Sequence, residues 1–296
     1  MKNLKYIFMV LLGGTMYGTM SSFVKLSYSN GFNAAEVAFW QAFFAALMLG
    51  LCTFFTAKGT NGKIAFKDFL PLLLTGCAIG LTNFFYYESV GYIPASLAIV
   101  ILMQFTWFSL FLEWLIFTRK PSRLELLTVF FILIGTIMAG GVFETEEWLF
   151  SIKGVVLALS ASLTYAVYII ANGRIGKGVH WQVKSTVIMI GSSLCIFSIN
   201  SETILSSEYL NGNFFTWVIL LAVVGTTIPT ALFAAGISKI GAGISSILMT
   251  VELPIAILCA RIVLKERVSS LQIAGIVIML ASICAMNYYK VLKSQK

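Results

Sequence analysis

The sequence predicts an all-α polytopic membrane protein whose ten transmembrane helices form two inverted five-helix repeats, residues 1–147 and 148–296. Three observations predict it. First, 59% of the 296 residues are hydrophobic and 11% charged, with a mean hydropathy of +0.93. That is too little polar surface to cover a soluble globule. Second, apolar runs of about 17–25 residues, long enough to cross a bilayer, recur ten times along the chain. Third, the chain faintly matches itself: Ile93, Ala95, Ser122, Leu124 and Leu133 fall on Ile240, Ala242, Ser269, Leu271 and Leu280, each 147 positions further on.

The first span, 6–28, begins like a signal peptide, but it is span-length and has no small-residue cleavage site, so it reads as a retained helix. Its Gly14 and Gly18, like Gly76 and Gly80 later, form small-xxx-small faces for close helix approach. The second span, 35–57, carries Trp40. In the third, 69–89, Asn83, Tyr86 and Tyr87 fall at i, i+3 and i+4 and share one face, with Glu88 at the end. After the break Gly91-Tyr92-Ile93-Pro94-Ala95-Ser96, the fourth span, 94–118, repeats that face with Gln104, Trp107 and Phe108, and holds Glu113 near its far end. The hinge Arg119-Lys120-Pro121-Ser122-Arg123 leads into the fifth, 124–143.

The second half repeats this grammar. The sixth span, 154–171, carries Tyr165, and the seventh, 183–199, is the weakest because Thr186, Ser192, Ser193 and Ser198 dilute it. The eighth is 214–237. A second break, Ser238-Lys239-Ile240-Gly241-Ala242-Gly243, precedes the ninth, 242–264, which contains Glu252, Pro254 and Arg261. The hinge Lys265-Glu266-Arg267 introduces the tenth, 271–289.

A cytoplasmic N-terminus places all but five of the 20 Lys and Arg residues on the inner side, the five being Lys25, Lys153, Arg261, Lys265 and Arg267. Both termini are then cytoplasmic, in a multi-pass plasma-membrane protein. An odd number of spans per half makes the second half enter in the opposite sense. The net charge of +8 follows mostly from the inside bias and calls for no nucleic-acid partner. Cys52, Cys77, Cys195, Cys259 and Cys284 lie in apolar runs without CxxC spacing, so neither disulfides nor a metal site are expected. The single histidine, His180, sits in a predicted loop beside Trp181, so no intramembrane Ser-His pair or HExxH site is expected. The absence of a GxxxxGK[ST] motif argues against ATP as the direct energy source, and no cofactor is expected.

The run Glu252-Leu253-Pro254-Ile255-Ala256-Ile257, followed by Leu264-Lys265-Glu266-Arg267-Val268-Ser269-Ser270-Leu271-Gln272-Ile273-Ala274-Gly275, resembles the EamA-type branch of the drug/metabolite transporter superfamily. The first half resembles it more loosely: Tyr17-Gly18 stands where the family often has Trp-Gly. Trp107 stands where mirror symmetry with Pro254 asks for proline, so strict mirror symmetry of the two gates is not expected. The resemblance covers essentially the whole chain. It implies an inner-membrane carrier, with helices five and ten peripheral, that exports small metabolites or toxic compounds; family members range over amino acids, other small metabolites and organic cations.

Glu252 is the most costly placement, since an acidic residue at mid-span costs roughly 2.5–3.5 kcal/mol on insertion scales. It should face a cavity or a partner, either to bind a cationic group or shuttle a proton, or as a structural hydrogen bond. Pro254, the expected hinge, has no N–H for the carbonyl of Thr250. The expected substrate wall is Glu252, Gln104, Trp107, Asn83 and Tyr87, joined by Tyr17 and Tyr165 and by Trp40. Amides set among aromatic rings hold apolar bodies or cations; the competing reading is a packed aromatic core or interfacial belt. Glu252, Glu113, Glu88 and Arg261 are gate or coupling candidates, the last three near enough to an interface to snorkel. The expected function is a secondary transporter exporting small metabolites, amino acids or related compounds, by alternating access. Organic-cation efflux and lipid-headgroup flipping are the alternatives. The expected partners are a small-molecule substrate and membrane lipid, with no nucleic acid, for a monomer or a homodimer.

Overall fold

In lipid each backbone N–H and C=O must be satisfied within the protein, and helices do this within one segment. The computed structural model of the chain describes residues 4–28, 31–56, 66–93, 95–139, 151–206, 212–263 and 269–294, and every regular element among them is helical. In chain order these are α1 (Leu4–Tyr28), α2 (Ala34–Thr56), α3 (Phe66–Val90), α4 (Ala95–Leu102), α5 (Phe105–Phe117), α6 (Arg123–Ala139), α7 (Ile152–Arg174), α8 (Trp181–Leu205) and α9 (Gly212–Ala222). A π-helical turn (Val223–Thr227) then joins α9 to α10 (Ile228–Ile240), followed by α11 (Ala242–Met249), α12 (Glu252–Val263) and α13 (Ser270–Ser294).

Among the described residues, eight helical stretches are long and apolar enough to cross a membrane. They correspond to the predicted spans one to four and six to nine. Ser270–Met286 is a shorter apolar stretch. The fifth predicted span is represented by α6, and its last four residues, 140–143, lie outside the described residues, as do Glu144, Glu146, Glu147, Lys265, Glu266 and Arg267. The seventh, the weakest in sequence, extends past its predicted end to Leu205 across a kink at Asn200, whose amide donates to the Ile196 carbonyl at 3.3 Å.

The helix starts explain the hinges. Ser122 Oγ accepts from the Glu125 N–H at 3.2 Å while Glu125 Oε2 accepts from the Ser122 N–H at 2.9 Å. At the start of α13, Ser269 and Gln272 make the same reciprocal pair, at 3.1 and 3.0 Å. Both are capping boxes, which satisfy orphan donors of the first turn, and they stand 147 residues apart. Gln272 also donates to the Ala139 carbonyl at 3.2 Å, where α6 and α13 pack at close range through Gly135 and Gly275.

The fourth span is two helices, broken after Leu102, and the ninth is broken after Met249, 147 residues on. At the second break Pro254 leaves the Thr250 carbonyl without its usual donor, and the Leu253 N–H supplies one at 3.2 Å. The first break needs no proline. The Gln104 amide donates to the Val100 carbonyl at 3.2 Å, and the Gln104 N–H turns to Ile101 at 3.1 Å. A side chain inserted into the backbone ladder is a recognised cause of a break. Gln104→Leu is expected to leave that carbonyl short of a donor and cost about 1–3 kcal/mol, read as earlier thermal unfolding in detergent; an unchanged midpoint contradicts this role.

The helices of the two halves interlock. α1 packs mainly on α10 and α12, and α7 mainly on α3 and α5 with α4, while α8 lies against both α2 and α3. Buried Lys184 on α8 ties the C-terminal turn of α7 to α10: its ammonium donates to the Asn172 carbonyl and to Ser238 Oγ at 2.7 Å. A cation at a helix C-terminus satisfies an orphan carbonyl and complements the dipole. Large apolar side chains such as Phe54, Leu74, Ile116, Ile152 and Ile262 point outward, as a lipid-facing surface requires.

Candidate functional site

A narrow cavity of ≈ 40 Å³ opens between α1, α3, α4, α7 and α12. It is lined by Tyr17, Asn83, Tyr86, Tyr87, Tyr165 and Glu252, with Gly18, Met20, Thr82, Ile99 and Leu102 completing its wall. Among the described residues, Glu252 is its only charged lining residue. The break before α12 puts this carboxylate on the first residue of a helix, where the dipole favours negative charge. It is 4% exposed, and Tyr165 donates to its Oε1 at 2.5 Å.

Close helix contact builds the wall. A Cβ on Gly18 would stand 2.5 Å from the Glu252 carbonyl oxygen, so glycine there lets α1 lie directly on the α11–α12 break. Tyr87 donates to Gln41 Oε1 at 3.2 Å, and the Gln41 amide in turn donates to Thr226 Oγ1 at 2.5 Å inside the π-helical turn. Gln41 thereby connects the cavity wall to an irregular turn of the kind often found at functional sites. The Tyr86 hydroxyl is buried with no hydrogen-bond partner among the described residues. A buried hydroxyl left unpaired costs free energy, and a polar group of a bound molecule would relieve it.

The cavity sits toward one end of the bundle. Its residues on α3 fall in the last turns of that helix, near the end that carries Tyr92 and Lys153. On the other side, toward Arg174, aromatic rings fill the space. Phe105 packs edge-on against Tyr165 at 4.7 Å, Tyr168 stacks on Tyr165 at 6.2 Å, and Phe233 stacks on Tyr17 at 5.5 Å.

The structure thus brings together Glu252, Tyr165, Tyr17, Tyr87 and Asn83. Gln104 and Trp107 lie apart from the cavity lining: the Trp107 indole donates to Gln104 Oε1 at 2.8 Å and is 38% exposed. Trp40 sits in an aromatic cluster with Phe39, Phe44 and Phe215. Pro254 lies just beyond the break, on the first turn of α12. Glu113 is buried and ion-paired near the Arg174 end, rather than snorkelling. Arg261 is exposed. Glu88 accepts from the Tyr92 hydroxyl at 3.4 Å, and Lys153 donates to the same hydroxyl at 2.5 Å. Gln41 is the residue that sequence reasoning missed; an uncharged amide inside the second span was its signal.

Helices long and apolar enough to cross a membrane, gathered around a carboxylate-bearing cavity, define a membrane protein with an internal polar site. The chain belongs to the EamA-like transporter family, of the drug/metabolite transporter superfamily: the family's sequence profile matches residues 4–141 and again 152–288. An uncharacterized transporter of Synechocystis sp. (strain PCC 6803) is 27% identical over 233 residues, spanning 75% of this chain and 68% of the relative. A solved chain described as a crystal structure of a protein shares the fold, with a TM-score of 0.76, 13% identity, and coverage of 99% of this chain and 98% of its own.

Proposed function

We propose that this protein is a secondary transporter that exports small amine-bearing metabolites, amino acids or related compounds, across the plasma membrane by alternating access. The observation that carries the reading is Glu252: a lone carboxylate, buried at a helix start and held by Tyr165, in a cavity walled by tyrosines. Tyrosine faces and a carboxylate together suit a protonated amine on an apolar body. Because no Lys or Arg among the described residues lines the cavity, an organic cation without a carboxylate is the second reading that the chemistry favours.

The two profile matches and the breaks and capping boxes set 147 residues apart support two repeats, 1–147 and 148–296; five spans in each would make them inverted, and the bias of Lys and Arg to one side supports cytoplasmic termini. The interlocked packing refines how they move. α1 packs on α10 and α12, α7 on α3 to α5, and α8 on α2 and α3, so the bodies that rock apart do not coincide with the two halves. At ≈ 40 Å³ the cavity has room for only a few waters, so substrate entry requires these bodies to part.

Efflux from proteoliposomes loaded with labelled amines and amino acids tests the reading. Saturable efflux of an amine-bearing solute is the expected result. Scrambling of fluorescent lipid with no solute movement would replace it with the flippase reading.

A further inference from the structure

Resting on the amine reading of the cavity, we infer that the hydrogen-bond direction fixed at Tyr87 by Gln41 makes the site selective for ammonium groups that carry N–H bonds. Gln41 is 2% exposed and lies on α2, which packs against α9 and the π-helical turn. Its amide nitrogen donates to the Leu221 carbonyl at 3.4 Å and to Thr226 Oγ1 at 2.5 Å. A carbonyl oxygen can only accept, so the nitrogen end of the amide faces Leu221 and the oxygen end is left for Tyr87.

Tyr87 has one hydroxyl proton, and it goes to Gln41 Oε1 at 3.2 Å. What Tyr87 can still offer a bound molecule is an acceptor. Tyr165 is committed in the same way, its proton going to Glu252 Oε1 at 2.5 Å, and an ionised Glu252 only accepts. Three polar groups of the cavity wall are thus set as acceptors before any molecule enters. Thr82 turns its hydroxyl to the Ala78 carbonyl at 2.8 Å. The hydroxyls of Tyr17 and Tyr86 have no partner among the described residues, and like the Asn83 amide they can accept or donate.

A wall biased in this way suits a molecule rich in donors. A primary ammonium brings three N–H bonds, which Glu252, Tyr87 and one of the groups free to turn can share. A trimethylated ammonium keeps the charge and the attraction to tyrosine faces. It has no N–H, so it leaves those acceptors unpaired in a buried site. Glu252 therefore reads the charge and Tyr87 the N–H bonds, with Gln41 as the positioning residue behind Tyr87.

The test compares phenethylamine with its N,N,N-trimethyl analogue on the purified full chain in detergent, taking apparent Kd from the rise of the unfolding midpoint with concentration. Wild type should bind the primary amine more tightly on the order of 10-fold, the size of one hydrogen bond to a charged group. Tyr87→Phe should weaken the primary amine by a similar factor and leave the trimethylated compound unchanged. Gln41→Leu, which frees the Tyr87 proton to enter the site, should act the same way by less, and it carries the test if Tyr87→Phe does not fold. Equal weakening of both compounds would show a structural role for Tyr87 and overturn the inference. So would a ratio that falls only because the trimethylated compound binds more tightly, which reports space rather than hydrogen bonding. Wild type that binds the trimethylated compound as well as the primary amine would overturn the selectivity and leave the amine reading standing. No stabilisation of wild type by either compound would overturn the amine reading and the selectivity with it.

Discussion

Glu252→Gln is expected to abolish the dependence of transport on a pH gradient. The carboxylate is the only charged group among the described residues that line the cavity, and Tyr165 donates to it at 2.5 Å. A glutamine of nearly equal size still accepts that hydrogen bond but cannot take up or release a proton. If proton and substrate compete for one carboxylate, protons moving inward drive substrate outward, so acidifying the outer side speeds efflux by the wild type. The variant should show no such acceleration. For a cationic substrate it also loses a charge-assisted bond worth about 1.5–3 kcal/mol, raising KM roughly 10- to 150-fold. Efflux measured at stepped outer pH checks both effects, and an unchanged rate and pH profile contradicts coupling through this residue.

The largest loss of stability is expected from Gly76→Val. α3 and α8 touch backbone to backbone here: a Cβ on Gly76 would run into the Ile188 carbonyl and stand 2.9 Å from the Gly191 Cα, while one on Gly191 would run into the Leu73 carbonyl. Backbone cannot rotate aside as a flexible side chain does, so the helices must part along their length. Overpacking in a tight core costs typically 1–3 kcal/mol, and at a backbone crossing about 3 kcal/mol or more is expected. Thermal unfolding of the purified protein in detergent measures it. Gly178→Ala is the control, since a Cβ there meets nothing within 4 Å and should leave the midpoint in place.

The spans were legible because a bilayer imposes a length and a composition that few other contexts demand, and the carboxylate was legible because burying it costs so much. What the chain did not reveal was which face of each helix turns inward. Helices that are apolar all round carry little periodic signal, so Gln104 and Trp107 looked equivalent to Asn83 and Tyr87, yet they bond to each other away from the cavity lining. Trp40 and Gln41 are neighbours in sequence, but Gln41 reaches the cavity wall while Trp40 packs among phenylalanines. The break in the fourth span lacked its proline signal because a glutamine amide does the work instead. Glu113 stays buried because Arg174, 61 residues away in the chain, arrives to pair with it, and no local pattern announces so distant a partner.

We propose that substrate binds in the Glu252 cavity. Its most direct test is thermal stabilisation of the detergent-solubilised protein by amino acids, nucleosides, lipid headgroups and organic cations, for wild type and Glu252→Gln in parallel. A ligand that binds only the folded state stabilises it by RT ln(1 + [L]/Kd), so even millimolar binders register at high concentration. Stabilisation of wild type by at least one amine-bearing compound, lost in Glu252→Gln, is the expected result. Equal stabilisation of both proteins, or a response to lipid headgroups alone, would contradict it.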